Sequence, residues 1–328
     1  MKPEDWTTSL AIRAAWLSFI GRSTQGEIAE RLGVSPAKVH RLISHAQKQG
    51  LIKFYIDARP SECMELEQEL AQALGLKNCF IAPNLGSADY GSSDSPFAAV
   101  ASFAGQYLNS LLSAPSVKRI GVGMGRTLKA TIEAMPGLQR PDLEIVSISG
   151  SLTRRLSANP YDVVQQLQSV VGGEGFYLPV PYLAESIEER DNYLSHRSVQ
   201  ELLGKAKKSD LFVVGIGSVE ADGHLVKHRL INEEELEELT GTVACSDLVG
   251  RFLDVDGSPV ETSLNQKSVG LGPEDLKGAR VVAISGGVGK AKATIGAARA
   301  GTITDLVIDE CLAKAMLALL NQEAVELV

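Results

Sequence analysis

The chain has 328 residues, of which 44% are apolar, 22% charged and 5% aromatic, with 31 glycines. That length fits two or three domains around a sizeable core, and the near-average composition excludes a disordered, collagenous or disulfide-stapled protein. The formal net charge of −8 argues against nonspecific nucleic-acid binding by the whole molecule, and no apolar run reaches the ~18 residues of a membrane-spanning helix.

The charge is unevenly spread. Residues 1–59 hold nine Lys/Arg against five Asp/Glu, a net of +4, while the remainder holds 23 against 35, a net of −12. A basic head on an acidic body suits a small nucleic-acid-binding module joined to something else. The opening MKPEDWTTSLAIRAAW carries acids and no small-residue cleavage site, so a cytoplasmic protein without a secretory signal is expected. Four scattered cysteines, Cys63, Cys79, Cys245 and Cys311, read as reduced, buried side chains.

In chain order, Leu10 to Ile20 give a helical apolar pattern ended by Gly21, with Trp6 and Trp16 read as packing residues of the head. In QGEIAERLGVSPAKVHRLI (25–43), Ile28, Ala29 and Leu32 recur at helical spacing and Gly33 breaks the run. Ser35 can then cap a second helix with Pro36 at its first position, and Val39, Leu42 and Ile43 form its buried stripe. This is a helix-turn-helix pattern. Ala29 is small where the second helix crosses, and Gly33 accepts the left-handed backbone of a tight turn. Ser35, Ala37, Lys38, His40 and Arg41 face outward, a short polar and basic set for a major groove, and Gln25 can meet a phosphate. LIKFYI (51–56) reads as a β-like wing.

Pro60 marks a hinge over 58–61, followed by a helix over 62–76, a strand over 79–83 and a Gly/Ser/Asp-rich loop over 84–97. Beyond this, helices are expected over 98–113, 126–135, 160–171, 186–207, 233–240, 290–300 and 311–320. They alternate with strands at 117–123, 143–150, 175–181, 210–218, 251–255, 279–287 and 304–310. The expected fold is therefore α/β: a helix-turn-helix DNA-binding domain over 1–57, then an α/β effector domain over 58–328 with a mostly parallel sheet.

In such sheets ligands bind at the carboxyl ends of the strands. Four predicted strands end in glycine-rich turns: GVGMGRT (121–127), SISGS (147–151), GIGS (215–218) and SGGVGK (285–290). Glycines let backbone N–H groups approach a polar ligand; Thr127, Ser149, Ser151, Ser218 and Ser285 add short donors, and Lys290 adds a positive charge. One such turn is as often simple turn chemistry as a ligand site, but four in one domain favour a ligand. No cofactor is expected. GVGMG lacks the third glycine of a dinucleotide fingerprint, and Ala291 stands where a nucleotide-binding loop needs Ser or Thr. His224 and His228 fall in a glycine-containing loop without carboxylates at metal-like spacing. The acidic run EEELEEL (233–239) reads as a solvated helix face.

The whole pattern resembles the SorC-type sugar-binding transcriptional regulators of bacteria. The likeness rests on IAERLGVSPAKVHRLI (28–43), GVGMGRTL (121–128), SGSLTRRLSANPYDVV (149–164) and KKSDLFVVGIGS (207–218). LVGRFLDVDG (248–257), VVAISGGVGKAKATIGAARAG (281–301) and LVIDE (306–310) continue it. The resemblance implies a Rossmann-like effector domain similar to phosphosugar isomerases, serving as a sensor without turnover. It also implies double-stranded operator DNA, a sugar, polyol or sugar-phosphate effector, and a second copy of the chain in a dimer or tetramer as partners, with no membrane partner. Carried over by residue, it puts Gly123, Gly125 and Thr127 in the loop that grips the ligand, with Ser149, Ser151 and Asn159 lining the next strand end. Asp247 matches an acidic position that takes ligand hydroxyls, and Lys290 a lysine facing the same ligand. Asp309 fits either a pocket position or a helix cap. Ser246 stands where the family often has glycine, and NPYDVV looks like the polyol-type members, which leaves a phosphate on the effector open. The alternative function is an isomerase or deaminase with Lys290 and Asp247 as acid/base or Schiff-base residues.

Overall fold

The structure, a computed structural model, describes residues 3–52, 60–84, 98–152, 162–219, 225 and 230–326. The chain forms two compact units, Met1–Ile56 and Asp57–Val328.

In the first unit, α1 (Pro3–Ala15) runs into one π-helical turn (Trp16–Ile20), followed by α2 (Gln25–Leu32) and α3 (Pro36–Lys48). Local chemistry sets these boundaries. Thr24 and Glu27 form a reciprocal capping box at the start of α2, and the Ser35 hydroxyl accepts the Lys38 N–H at the start of α3. Gly33 takes φ 64°, ψ 37° between the two helices. A Cβ there would meet nothing within 4 Å, so Gly33→Ala should cost only the left-handed backbone penalty, about 1–2 kcal/mol. Denaturant melts should show that loss, and a smaller one for Gly33→Asn.

Ala11, Ala14, Ile28, Ala29, Val39, Leu42 and Ala46 form the buried centre of the head. The two tryptophans depart from expectation: Trp6 is 58% and Trp16 64% exposed. Small alanines take the face of α1 that lies on α3, which lets the helices approach closely and turns the large rings outward. The wing segment 51–56 is described only to Ile52, where the backbone is not a strand; its remainder lies outside the described residues.

The second unit begins with α4 (Ser61–Leu74) and β1 (Asn78–Ala82), then α5 (Ala98–Leu112), β2 (Arg119–Val122), α6 (Arg126–Ala134) and β3 (Glu144–Ser147). It continues with α7 (Val164–Val171), β4 (Glu174–Phe176), α8 (Ile187–Ser195), α9 (Arg197–Ala206), β5 (Leu211–Gly215) and β6 (Gly217–Ser218). After them come α10 (Glu233–Thr240), β7 (Ser246–Leu248), β8 (Arg251–Leu253), α11 (Ser263–Lys267), β9 (Arg280–Ile284), α12 (Ala291–Arg299), β10 (Asp305–Asp309) and α13 (Glu310–Glu326). Seven strands form one parallel sheet in the order β1-β10-β9-β5-β2-β3-β4.

The central stretches of β2, β3, β5, β9 and β10 are apolar on both faces because both faces are covered. Val146, Phe212, Val214, Val281, Ala283, Leu306 and Ile308 join α4, α12 and α13 in one core. Their neighbours Ile145, Leu211, Val213, Val282 and Val307 join α5, α6 and α7 in the other. At the opposite end from the strand-end loops, the fully buried Asp305 ties β10 to β1, β9 and α5 through Asn78, Arg280 and Tyr107.

Several expectations need correction. The helix expected over 186–207 is two, because His196 is extended (φ −65°, ψ 128°) and ends the first. The run 175–181 pairs as a strand only over Glu174–Phe176. The stretch 210–218 divides into β5 and β6, and β6 joins β7 and β8 in a small antiparallel sheet. The glutamates of α10 are solvated except Glu235, which is buried like Leu239, caps the helix with Asn232 and pairs with Lys267 at 3.0 Å. Cys63 and Cys79 are buried, but Cys245 and Cys311 are half-buried.

Candidate functional site

Strands β9, β5, β2 and β3 are consecutive neighbours in a parallel sheet, so the four glycine-rich turns after them lie side by side along one edge. The chain steps outward from β2 through β3 to β4, then returns to place β5 on the other side of β2. The order therefore reverses between β2 and β5, the point at which open α/β sheets bind ligands. There the Gly123 N–H donates to the Val213 carbonyl at 2.9 Å, and a Cβ at Gly215 would sit 3.3 Å from the Met124 carbonyl oxygen. Gly125, with φ 137°, is the N-cap of α6, and Thr127 is buried in that helix's first turn.

The small sheet brings the acidic residue to the same place. Gly217 of β6 pairs with Asp247 of β7. Lys290 donates from Nζ to the Ile216 carbonyl at 2.6 Å, so Asp247 and Lys290 hold the same short segment after β5. Asp247 is buried, and its carboxyl accepts from the Tyr182 hydroxyl at 3.0 and 3.1 Å and from the Gly250 N–H at 3.0 Å. Burial pushes its pKa up from 3.8 to about 6, against the opposing pull of the Tyr182 and Gly250 hydrogen bonds and of the Arg251 and Lys290 charges. A carboxyl with a raised folded-state pKa binds its proton more tightly when folded. Its stabilising contribution is complete at low pH and is lost as pH rises from about 4 to about 6. Unfolding free energies of wild type and Asp247→Asn, measured across that window, should differ by this slope and run parallel above it.

The other candidate residues divide. Ser149 is bridged to Gly270 at the end of β3. The Ser151 hydroxyl donates to the Leu178 carbonyl at 2.7 Å, and buried Ser285 shares a hydrogen bond with Thr294 at 3.2 Å; both are spent on holding the fold. Asp309 accepts the Leu312 N–H at the start of α13 and the Gly287 N–H at 2.6 Å, so it is a cap that also fixes the turn before Lys290. Asn159 lies outside the described residues, as do His224 and His228. Two residues escaped the sequence reading. Asp162 is bridged to Met124 beside the Gly123–Gly125 loop, and burial raises its pKa; its signal was present in NPYDVV. Tyr182 lies in an apolar run that reads as core. Among the described residues no cluster of His, Cys, Asp or Glu could hold a metal ion.

On the head, Gln25, Ser35, Ala37, Lys38, His40 and Arg41 are all exposed. Ala37, Lys38, His40 and Arg41 lie on α3, the second helix of the turn, while Val39 and Leu42 on the same helix are buried. The helix therefore presents a basic outer face while its inner face is anchored in the core.

Together these features define a helix-turn-helix module followed by an α/β ligand-binding unit. The sequence profile described as "Winged helix-turn-helix DNA-binding" matches residues 21–53, and the one described as "Putative sugar-binding domain" matches residues 58–318. The erythritol catabolism regulatory protein EryD of Brucella abortus is 34% identical over 313 residues, covering 95% of this chain and 98% of that one. A DeoR family transcriptional regulator from Listeria monocytogenes has a TM-score of 0.67 at 25% identity, covering 77% of this chain and 99% of that one. The full-length sorbitol operon regulator SorC of Klebsiella pneumoniae shares the fold, with a TM-score of 0.69 at 24% identity over 94% of this chain and 98% of that one.

The chain belongs to the family of sugar-binding transcriptional regulators with an N-terminal helix-turn-helix. These relatives are regulators, not enzymes, and the isomerase or deaminase alternative finds no support in them. No helix among the described residues is long and apolar enough to cross a membrane.

Proposed function

We propose that residues 1–57 read operator DNA through α3, and that residues 58–328 bind a small polyol or sugar at the junction of β2 and β5. The observation that carries the effector site is the alignment of four glycine-rich turns at the reversal of strand order, with Asp247 and Lys290 delivered to it. Gly123, Gly125, Thr127 and Ser149 supply backbone and short polar groups, Asp247 accepts ligand hydroxyls and Lys290 donates. Asn159 is assigned to the same pocket by the family resemblance alone. The polyol assignment is supported by the likeness of NPYDVV to polyol-type members and by a relative whose name refers to erythritol catabolism. A thermal-shift screen over sugars, polyols and their phosphates tests it, because a ligand selective for the folded state raises its stability. The polyol assignment predicts a rise with erythritol-like compounds; a rise with phosphates alone would overturn it.

The protein acts as a cytoplasmic homodimer or homotetramer. One recognition helix contacts too few bases for tight specific binding, so two heads must act on two half-sites. We place the assembly contacts largely in residues 58–328, which form a unit with cores of their own. Light scattering of a chain lacking residues 1–57 should give a multimer at micromolar concentration, and a monomer would contradict this.

A further inference from the structure

We propose that Tyr182 is the positioning residue for the effector site, fixing the Asp247 carboxylate in one orientation and keeping it an open acceptor for ligand hydroxyls. This rests on the reading of Asp247 as an effector contact. Tyr182 is buried, in the strap that follows β4, and its side chain is 65 residues away in sequence from its partner. Its hydroxyl stands at nearly equal distance from both carboxylate oxygens, 3.0 and 3.1 Å. The second donor, the Gly250 N–H, serves Oδ1 alone. A carboxylate has about four lone-pair positions, so two donors leave capacity, and the less used oxygen is Oδ2.

The surroundings are built for this arrangement. Val249 and Gly250 form the two-residue turn between β7 and β8, with φ of 52° and 76°. A β-branched residue there is strained, and the Gly250 N–H bond to Asp247 helps hold the turn. A Cβ at Gly250 would lie 2.4 Å from the Ser268 hydroxyl and 3.4 Å from that of Tyr182, so glycine is what lets turn and phenol meet. The charges acting on Asp247 are those of Arg251 in the hairpin and Lys290 beyond β9. With both already present, the phenol is the neutral donor that completes the set. Buried beside a carboxylate, its own pKa is raised well above 10, so it stays protonated and always donates.

The test uses the full-length protein without ligand. Infrared difference spectra isolate the Asp247 carboxyl band as the one that Asp247→Asn removes, and its titration midpoint is followed in wild type and Tyr182→Phe. Loss of a hydrogen bond to the charged form raises a carboxyl pKa, so the midpoint should move up from about 6 in Tyr182→Phe. Replacing Tyr182 by 3-fluorotyrosine, a stronger donor of nearly the same shape, should move it down even if Tyr182→Phe does not fold. A midpoint unmoved by the fluorinated residue overturns the proposal, since a merely structural tyrosine would leave it so. Calorimetry with erythritol across the same pH range separates the underlying reading. A displaced midpoint with matching displacement of erythritol affinity supports both. A displaced midpoint in a protein that binds neither erythritol nor any related polyol supports the role of Tyr182 and overturns the polyol reading.

Discussion

Replacing Lys290 or Asp247 with alanine should abolish the effector response and leave operator binding intact. The two groups hold the same segment after β5, Lys290 through the Ile216 carbonyl and Asp247 through its pairing with Gly217. On the proposed site, either change would take away a ligand contact, and Lys290→Ala would also release the Ile216 carbonyl. A buried polar site that loses one partner commonly loses a few kcal/mol of binding, which is a hundredfold or more in effector affinity. Operator binding should persist because the head is a separate unit with its own core. Calorimetry gives the ligand affinity and a gel shift gives the DNA affinity. Wild-type ligand affinity in both variants would displace the site from this junction, and loss of both functions together would indicate misfolding.

Replacing Arg41 with alanine should weaken operator binding by about 1–3 kcal/mol if the guanidinium reads a base. Lys38→Ala should cost less, be nearly uniform across sequences and reduce the salt dependence, as expected for a phosphate contact that releases counterions. Both side chains are exposed on α3, while the helix is anchored by Val39, Leu42 and Ala46, so neither change should affect the fold. Unchanged affinity in both variants at moderate salt would rule out this face of α3.

The head was legible because its signals are local. Gly33, and Ser35 with Pro36, each act within a few residues, and each does in the structure what its chemistry suggests; the Thr24–Glu27 capping box, equally local, went unread. The tryptophans were misread because aromatic character alone does not say which face of α1 is taken by alanines. In the second unit the long apolar strands were legible, and so were the glycine turns that end them. Their adjacency was not: it depends on the order β9-β5-β2-β3, which no local pattern carries. Of the small sheet only the strand near 251–255 was read as a separate element, because strands of two and three residues are too short to show alternation. That sheet delivers Asp247, so the residue was reached through family resemblance and not through spacing. Tyr182 was beyond reach for the same physical reason, since its partner is distant in sequence and its neighbours Val180, Leu183 and Ala184 are core.

Occupancy of the α/β unit is expected to change the grip of the head on DNA. A ligand can do this only if it favours one arrangement of the subunits over another. The direct measurement is the affinity of the full-length protein for an operator selected in vitro, by fluorescence anisotropy, with erythritol and related polyols and sugars titrated in. At least one compound should change the affinity about tenfold or more, a coupling of about 1.4 kcal/mol, with the change absent in Asp247→Ala and no compound consumed. An operator affinity constant across the whole panel, or turnover of any member of it, would contradict control of DNA binding by a sensor that does not consume its ligand.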